Sequence, residues 1–298
     1  MPREDATEKL RQALQTALGC SLEPAPAAQV AGGSIAECVR WSGDDGDLFV
    51  KLAPAIRRQA FEAEAAGLAE LATAGAIRVP ALLGTGTAGS TAWLALRWID
   101  FTTSARHSEA LLGEQLASQH RVGAQRFGWH RDNTIGATPQ HNAWDDDWVR
   151  FFVRHRLTMQ LDLAETSGAS VRLLDRGRRL CEIAGALFSS YRPVPSLLHG
   201  DLWGGNWATD ESGDPVVFDP AVYFGDREAD LAMTRLFGGF GPAFYAAYQS
   251  AWPLDPAAGT RRTLYNLYHV LNHFNLFGGG YAAQAEAMIE RLLGELGH

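Results

Sequence analysis

The 298-residue chain is 46% hydrophobic and 20% charged, the balance of a globular protein with one large core or two lobes. A formal charge of −8 excludes a general electrostatic attraction for nucleic acid or an anionic membrane surface. Three widely spaced cysteines, Cys20, Cys38 and Cys181, make neither a disulfide framework nor a zinc site and point to a reducing compartment.

The opening MPREDATEKLRQAL lacks an apolar signal core, and no stretch reaches the roughly 18 apolar residues of a membrane span, so a soluble cytoplasmic protein is expected. Leu10, Leu14 and Leu18 recur every four residues, which predicts an amphipathic helix over 5–19. The segments VAGGSIAECVRW and LFVKLAP flank the Gly/Asp turn SGDDGD and read as a β-hairpin. An Ala/Glu/Leu-rich stretch over 55–74 predicts a helix stopped by Gly75, and VPALLGTGTAGSTAWLALRWID predicts two further strands. After Asp100 helical patterns dominate, over about 107–127, 144–166, 170–190, 228–237, 242–251, 261–277 and 282–296. Two polar segments interrupt them, FGWHRDNTIGATPQHNAW over 127–144 and LLHGDLWGGNWATDESGDPVVFDPA over 197–221. The expected fold is therefore α+β and two-lobed, a β-rich N-terminal lobe over 1–97 and a mainly helical lobe over 98–298, with a cleft between them.

The second polar segment carries the chemistry. His199, Asp201 and Asn206 fit H-x-D-x-x-x-x-N, the spacing of a kinase catalytic loop, in which the Asp accepts a hydroxyl proton and the Asn holds a metal ion. Downstream, PVVFDPA ends an apolar strand on Asp219, where a kinase keeps its second magnesium ligand. Upstream, LFVKLA sets Lys51 on a strand, and the helix after it offers Glu62 and Glu64 as acidic partners, which spacing alone does not separate. A phosphoryl group in flight spreads negative charge over its oxygens, so fixed positive charge, supplied by Lys51 and Mg²⁺, and a carboxylate near the attacking hydroxyl suit that reaction. Gly32, Gly33 and Ser34 in AGGSIAEC let backbone N–H groups approach phosphates, although the same residues suit a plain strand-entry turn. No Walker motif G-x-x-x-x-G-K-[ST] occurs, and D-F-G and A-P-E are absent, which leaves P-loop NTPases and protein kinases unsupported.

LLHGDLWGGNW, VVFDPAVYFGDREADLAM, DNTIGATPQHNAW and YHVLNHFNLFGGGY resemble the fructosamine-3-kinase (ketosamine-3-kinase) family over nearly the whole chain. That family shares the aminoglycoside-phosphotransferase version of the protein-kinase-like fold. The resemblance implies an ATP- and Mg²⁺-dependent kinase with Asp201 as catalytic base, Asn206 and Asp219 as metal ligands, Lys51 on the phosphates and Glu64 as its partner. It also implies a hinge at Arg97, Trp98 and Ile99 that receives adenine, and a bracing role for Asp230. Some family members carry a Cys in the phosphate loop where this chain has Ser34, so redox control there is not expected.

The substrates implied are ketosamines, free or on glycated protein lysines, phosphorylated on the 3-hydroxyl so that the adduct falls away. His130, Asp132 and Asn133 in the first polar segment, Trp203 beside Asp201, and Asp226 and Glu228 after the metal strand are the expected pocket residues. For Trp203 loop packing stands level with substrate contact, and for Glu228 the competing role is at a helix N-terminus. His269 and His273 lie four apart but lack a third zinc ligand, and read as core or cleft-wall histidines. An aminoglycoside- or choline-type phosphotransferase and a nucleotide-binding pseudokinase are the alternatives. TIGATPQ speaks against the first, and the joint presence of Lys51, Asp201, Asn206 and Asp219 against the second.

Overall fold

The computed structural model describes residues 2–30, 36–103 and 106–298, so Gly32, Gly33 and Ser34 lie outside the described residues. In chain order the first elements are α1 (Pro2–Leu18), β1 (Ala28–Val30), β2 (Glu37–Trp41), β3 (Leu48–Pro54), α2 (Arg58–Ala74), β4 (Leu82–Ala88), β5 (Thr91–Arg97) and β6 (Phe101–Thr102). They continue with α3 (Arg106–His120), β7 (Asn133–Ile135), β8 (Thr138–Gln140), α4 (Trp148–Phe152), a π-helical turn over 153–158, α5 (Met159–Thr166) and α6 (Val171–Ile183). The remainder is β9 (Ser196–Leu198), β10 (Trp207–Asp210), β11 (Pro215–Val217), β12 (Tyr223–Gly225), α7 (Glu228–Leu236), α8 (Pro242–Ala251), α9 (Ala258–Phe277) and α10 (Tyr281–Glu295). No helix among the described residues is long and apolar enough to cross a membrane.

Two compact units emerge, one formed by residues 1–104 with 208–219, the other by 105–207 with 220–298. The first is built on a five-stranded antiparallel sheet in the order β1-β2-β3-β5-β4. Side chains alternate across a strand, and β5 uses both faces. Trp93 and Ala95 join Leu10 and Leu14 of α1, whereas Ala92, Leu94 and Leu96 join Phe61, Ala65 and Leu68 of α2. The same parity puts Lys51 of β3 with Ala53 on the α2 face, which decides where its ammonium group can reach. Gly75 ends α2 in the left-handed conformation that the expected stop requires, with φ 64.

In the second unit α9 is the central helix, with its buried residues running from Arg261 to Phe274. Trp148, Phe151 and Phe152 are buried; Phe151 stacks with Tyr223, Trp148 meets Tyr265 at a tilt and Phe152 meets it edge-on. The helix expected over 107–127 stops at His120, because Gly123, Phe127 and Gly128 form isolated β-bridges instead. Leu197 N–H donates to Val122 O at 2.8 Å, and Gly128 exchanges backbone bonds with Phe224. NTIGATPQ, read as irregular, is a tight antiparallel hairpin with Ile135 paired to Thr138 around Gly136, whose φ is 61.

Candidate active site

β9 is wholly buried and pairs antiparallel with β12, so that Leu197 and Leu198 anchor the start of the loop 199–206. Gly200 has φ 83, and a Cβ there would lie 2.0 Å from the carbonyl oxygen of Ala221, so no other residue fits. The backbone N–H groups of His199 and Gly200 both donate to the Asp230 carboxylate, at 2.7 and 2.8 Å. His120 meets the same carboxylate through Nε2 at 3.1 Å and Tyr248 through Nδ1 at 2.9 Å. Burial pushes the Asp230 pKa up, but His120 and these backbone donors outweigh it and hold the carboxyl below its ordinary value. Asp230 is therefore an internal brace for the loop.

Asp201 is half-buried in that loop. Asn206 turns back on it, its Nδ2 donating to the Asp201 carbonyl oxygen at 2.8 Å and to Oδ2 at 3.2 Å. With the amide nitrogen spent on the loop, the amide oxygen is the group that Asn206 has to offer a ligand. Gly204 lies against Gly238 and Gly239, and Gly205 lies under the Trp203 ring, whose atoms approach to 2.3 Å of the position a Cβ would take. Trp203 is 39% exposed and meets Phe237 edge-on at 6.4 Å, and Phe237 packs on His273 at 4.7 Å.

In the first unit the Lys51 ammonium lies 2.7 Å from Glu64 Oε1 and 2.6 Å from Asp219 Oδ1. Glu64 is thus the acidic partner, and Glu62 instead bonds Arg58 on the solvent side. Burial alone would lower the Lys51 pKa; the two carboxylates overcome it and raise the pKa, which fixes the charge. Burial pushes the Glu64 carboxyl up, with Lys51 opposing. Asp219 follows β11 and, with φ 58, is the one non-glycine of positive φ among the described residues. Its side chain is 37% exposed, so the carboxylate is reachable from solvent.

The hinge segment follows β5. The backbone N–H groups of Arg97 and Trp98 are already spent on Ala81 O at 2.8 Å and Asp47 O at 3.0 Å. Among the described residues no backbone hydrogen bond of Ile99 is found. Hard oxygen donors of the kind magnesium takes are present in each unit. Asp219 and Asn206 offer a carboxylate and an amide oxygen, and no cluster of three or more His, Cys, Asp or Glu is present among the described residues to hold a metal by itself.

The expected pocket residues divide. His130 is exposed with its ring on Trp129 at 4.5 Å. Asp132 is exposed but closes its own loop, accepting from His141 Nδ1 at 2.7 Å and Asn142 N at 2.8 Å. Three others are corrected. Asn133 is buried and its amide is consumed inside the protein. Asp226 is fully buried and accepts from Tyr191, Tyr265 and the Glu228 N–H. Glu228 opens α7 and forms a buried two-pronged pair with Arg261, at 2.8 and 2.9 Å. An acid next to a metal strand looks like a ligand in one dimension; here the chain turns both acids inward, to cap α7 and to tie it to α9. His269 is buried, its pKa driven to about 3 by burial, and among the described residues no group of three or more His, Cys, Asp or Glu is placed to hold a metal.

Sequence reasoning missed Arg156, which is 0% exposed. The signal was present, because Arg156 falls on the buried stripe that Trp148 and Phe152 define by four-residue spacing.

The family model described as fructosamine kinase matches residues 6–295. A protein of Synechocystis, provisionally named a ketoamine kinase, is 45% identical over 265 residues, 89% of each chain. A chloroplastic protein-ribulosamine 3-kinase of Oryza sativa is 40% identical, over 89% of this chain and 78% of the relative. The crystal structure of a provisionally named fructosamine-3-kinase from Haemophilus somnus superposes with a TM-score of 0.86 at 28% identity, over 95% of this chain and 96% of that one. A spectinomycin phosphotransferase shares the fold alone, at a TM-score of 0.60 and 11% identity over 95% and 93% of the two chains.

Proposed function

The chain belongs to the fructosamine kinase family and has its two-unit, protein-kinase-like α+β fold, and we propose that it transfers the γ-phosphoryl group of ATP to the 3-hydroxyl of ketosamines. The observation that carries this reading is the Asp201 carboxylate, held by Asn206 in a loop whose backbone is fixed by Asp230. An acid so oriented is equipped to take a proton from a sugar hydroxyl as its oxygen attacks phosphorus.

Lys51 binds the nucleotide phosphates, with Glu64 keeping its ammonium in place. Asp219 and the Asn206 amide oxygen are the residues that would hold magnesium, which would supply positive charge against the transferring phosphoryl group. The Ile99 main chain receives adenine, beside Arg97 and Trp98, and Gly32, Gly33 and Ser34, outside the described residues, are the ones the family resemblance assigns to the phosphates. Trp203 and His273, linked through Phe237, form an aromatic wall for the ketosamine, and His130 and Asp132 are its polar neighbours. The ketosamine is free or attached to a protein lysine, and loss of the phosphorylated sugar frees the amine.

An ADP-release assay with fructose-lysine, ribulose-lysine and an aminoglycoside side by side tests the reading. Turnover of one or both ketosamines is the expected result, and turnover of the aminoglycoside alone overturns it.

A further inference from the structure

The hairpin β7–β8 and the turn after it carry the polar residues that set this family apart in sequence, yet those side chains face inward. Gln140 is 1% exposed and donates to Asn133 Oδ1 at 2.8 Å and to the Ala221 carbonyl at 3.1 Å. Its own oxygen accepts from the Tyr268 hydroxyl at 2.8 Å. Asn133 donates to the Val222 carbonyl at 2.8 Å, and its oxygen accepts from Asn142 at 3.0 Å. Asn142 in turn accepts from Arg156 at 2.7 Å. The chain of bonds thus begins at a guanidinium and ends on two consecutive backbone carbonyls.

Arg156 is the unusual member. It donates to the His141 carbonyl at 2.7 Å and stacks over Tyr223 at 4.2 Å, but among the described residues no carboxylate meets it and its Nε has no acceptor. Burying an uncompensated charge costs several kcal/mol, and an apolar side chain would fill the same space without that cost. A charge does what an apolar group cannot: it polarises and orients the amides hydrogen-bonded to it.

The far end of the network lies beside the catalytic loop. Ala221 N–H donates to the His199 carbonyl at 2.9 Å, and a Cβ on Gly200 would meet the Ala221 oxygen. Tyr223, the next residue after Val222, pairs with Leu198. Asp219 stands two positions before Ala221 in the strained conformation noted above, and such strain persists only where neighbours over-determine it.

The geometry points to Gln140, backed by Asn133 and Arg156, as a positioning residue for phosphoryl transfer: by clasping the Ala221 and Val222 carbonyls it fixes the backbone on which Asp201 and Asp219 depend. The inference rests on the roles assigned above to those two aspartates.

The test compares Gln140→Met, Gln140→Glu and Tyr268→Phe with the wild type in kcat and KM for ribulose-lysine, and in thermal unfolding. Gln140→Met, folded at the assay temperature, loses about tenfold or more in kcat while KM for the ketosamine stays within about twofold. In Gln140→Glu an ionised carboxylate faces two acceptor oxygens, whereas its protonated form restores a donor. Its kcat relative to wild type therefore rises on acidification, read at a temperature where the variant is fully folded at every pH so that recovered stability does not contribute. Tyr268→Phe removes one hydroxyl and keeps the ring, so it stays folded and loses about threefold in kcat. A second measurement needs no ketosamine: the gain in affinity for a non-hydrolysable ATP analogue on adding magnesium shrinks in all three variants. If the wild type turns over no ketosamine, the proposed substrate class fails, and this titration still decides the positioning role. Folded variants that keep kcat within about twofold of wild type, or, without turnover, an unchanged magnesium gain, overturn it.

Discussion

Asp201→Asn isolates proton transfer from everything else that the loop does. The replacement is isosteric, and its amide oxygen can still accept from Asn206 Nδ2, which now bonds the Asp201 carbonyl at 2.8 Å and Oδ2 at 3.2 Å. The bonds from His199 and Gly200 to Asp230 do not involve the changed atoms, so the loop keeps its shape. What is lost is an oxygen able to take the hydroxyl proton. A positioned general base contributes about 10²–10⁴-fold, or roughly 3–5 kcal/mol in the barrier at about 1.36 kcal/mol per decade. ADP release at saturating ketosamine should fall by that factor, while nucleotide affinity measured by titration stays within about twofold. Turnover within about tenfold of wild type refutes the assignment of Asp201 as base, because the loop geometry would then suffice without a proton acceptor.

Asp219→Ala removes the exposed carboxylate but leaves Lys51 paired with Glu64, so magnesium-dependent ATP affinity should fall roughly tenfold or more while metal-free nucleotide binding holds, as a titration with and without magnesium will measure. Arg261→Met strips a buried partner from Glu228 and should cost about 3–5 kcal/mol in denaturant unfolding. Burial already pushes the Glu228 pKa up to about 7 against the pull of Arg261, so in the wild type its ionisation drains stability as pH rises from the ordinary carboxylate range toward 7. Without the guanidinium the folded pKa climbs further, and the deficit of the variant should widen between neutral and alkaline pH. Asp230 has the opposite sign: its folded pKa lies below the ordinary value, so its contribution is full above about 4 and is lost as pH falls below that. In Asp230→Asn the acid limb of the stability profile should flatten while stability near neutral pH drops.

What could be read from the sequence is what one-dimensional spacing encodes. The H-x-D-x-x-x-x-N loop, Lys51 on a strand and Asp219 at a strand end declare themselves because chemistry fixes residue type and spacing together. Even so, Glu64 needed the structure to stand apart from Glu62, since both project from the first turns of α2 and only the parity of β3 picks the face that Lys51 reaches. The inward-facing polar residues were not legible. Asn133, Asp226 and Glu228 share the composition of a sugar pocket, and nothing in the sequence tells a buried acceptor from an exposed one. The distinction is made by partners far along the chain: Tyr265 and Arg261 lie 39 and 33 residues from the acids they satisfy.

That reassignment changes how the family's narrow motif should be understood. A polar, aromatic segment between helices reads naturally as a substrate loop, yet Asn133, Gln140 and Asn142 bond to one another and to main chain beside the catalytic loop. The reading proposed above assigns substrate contact to groups that reach the surface, His130 and Asp132 in that segment and the Trp203–Phe237–His273 wall. Substitutions on the wall should then move KM between one ketosamine and another, whereas substitutions in the buried network should move kcat for all of them alike.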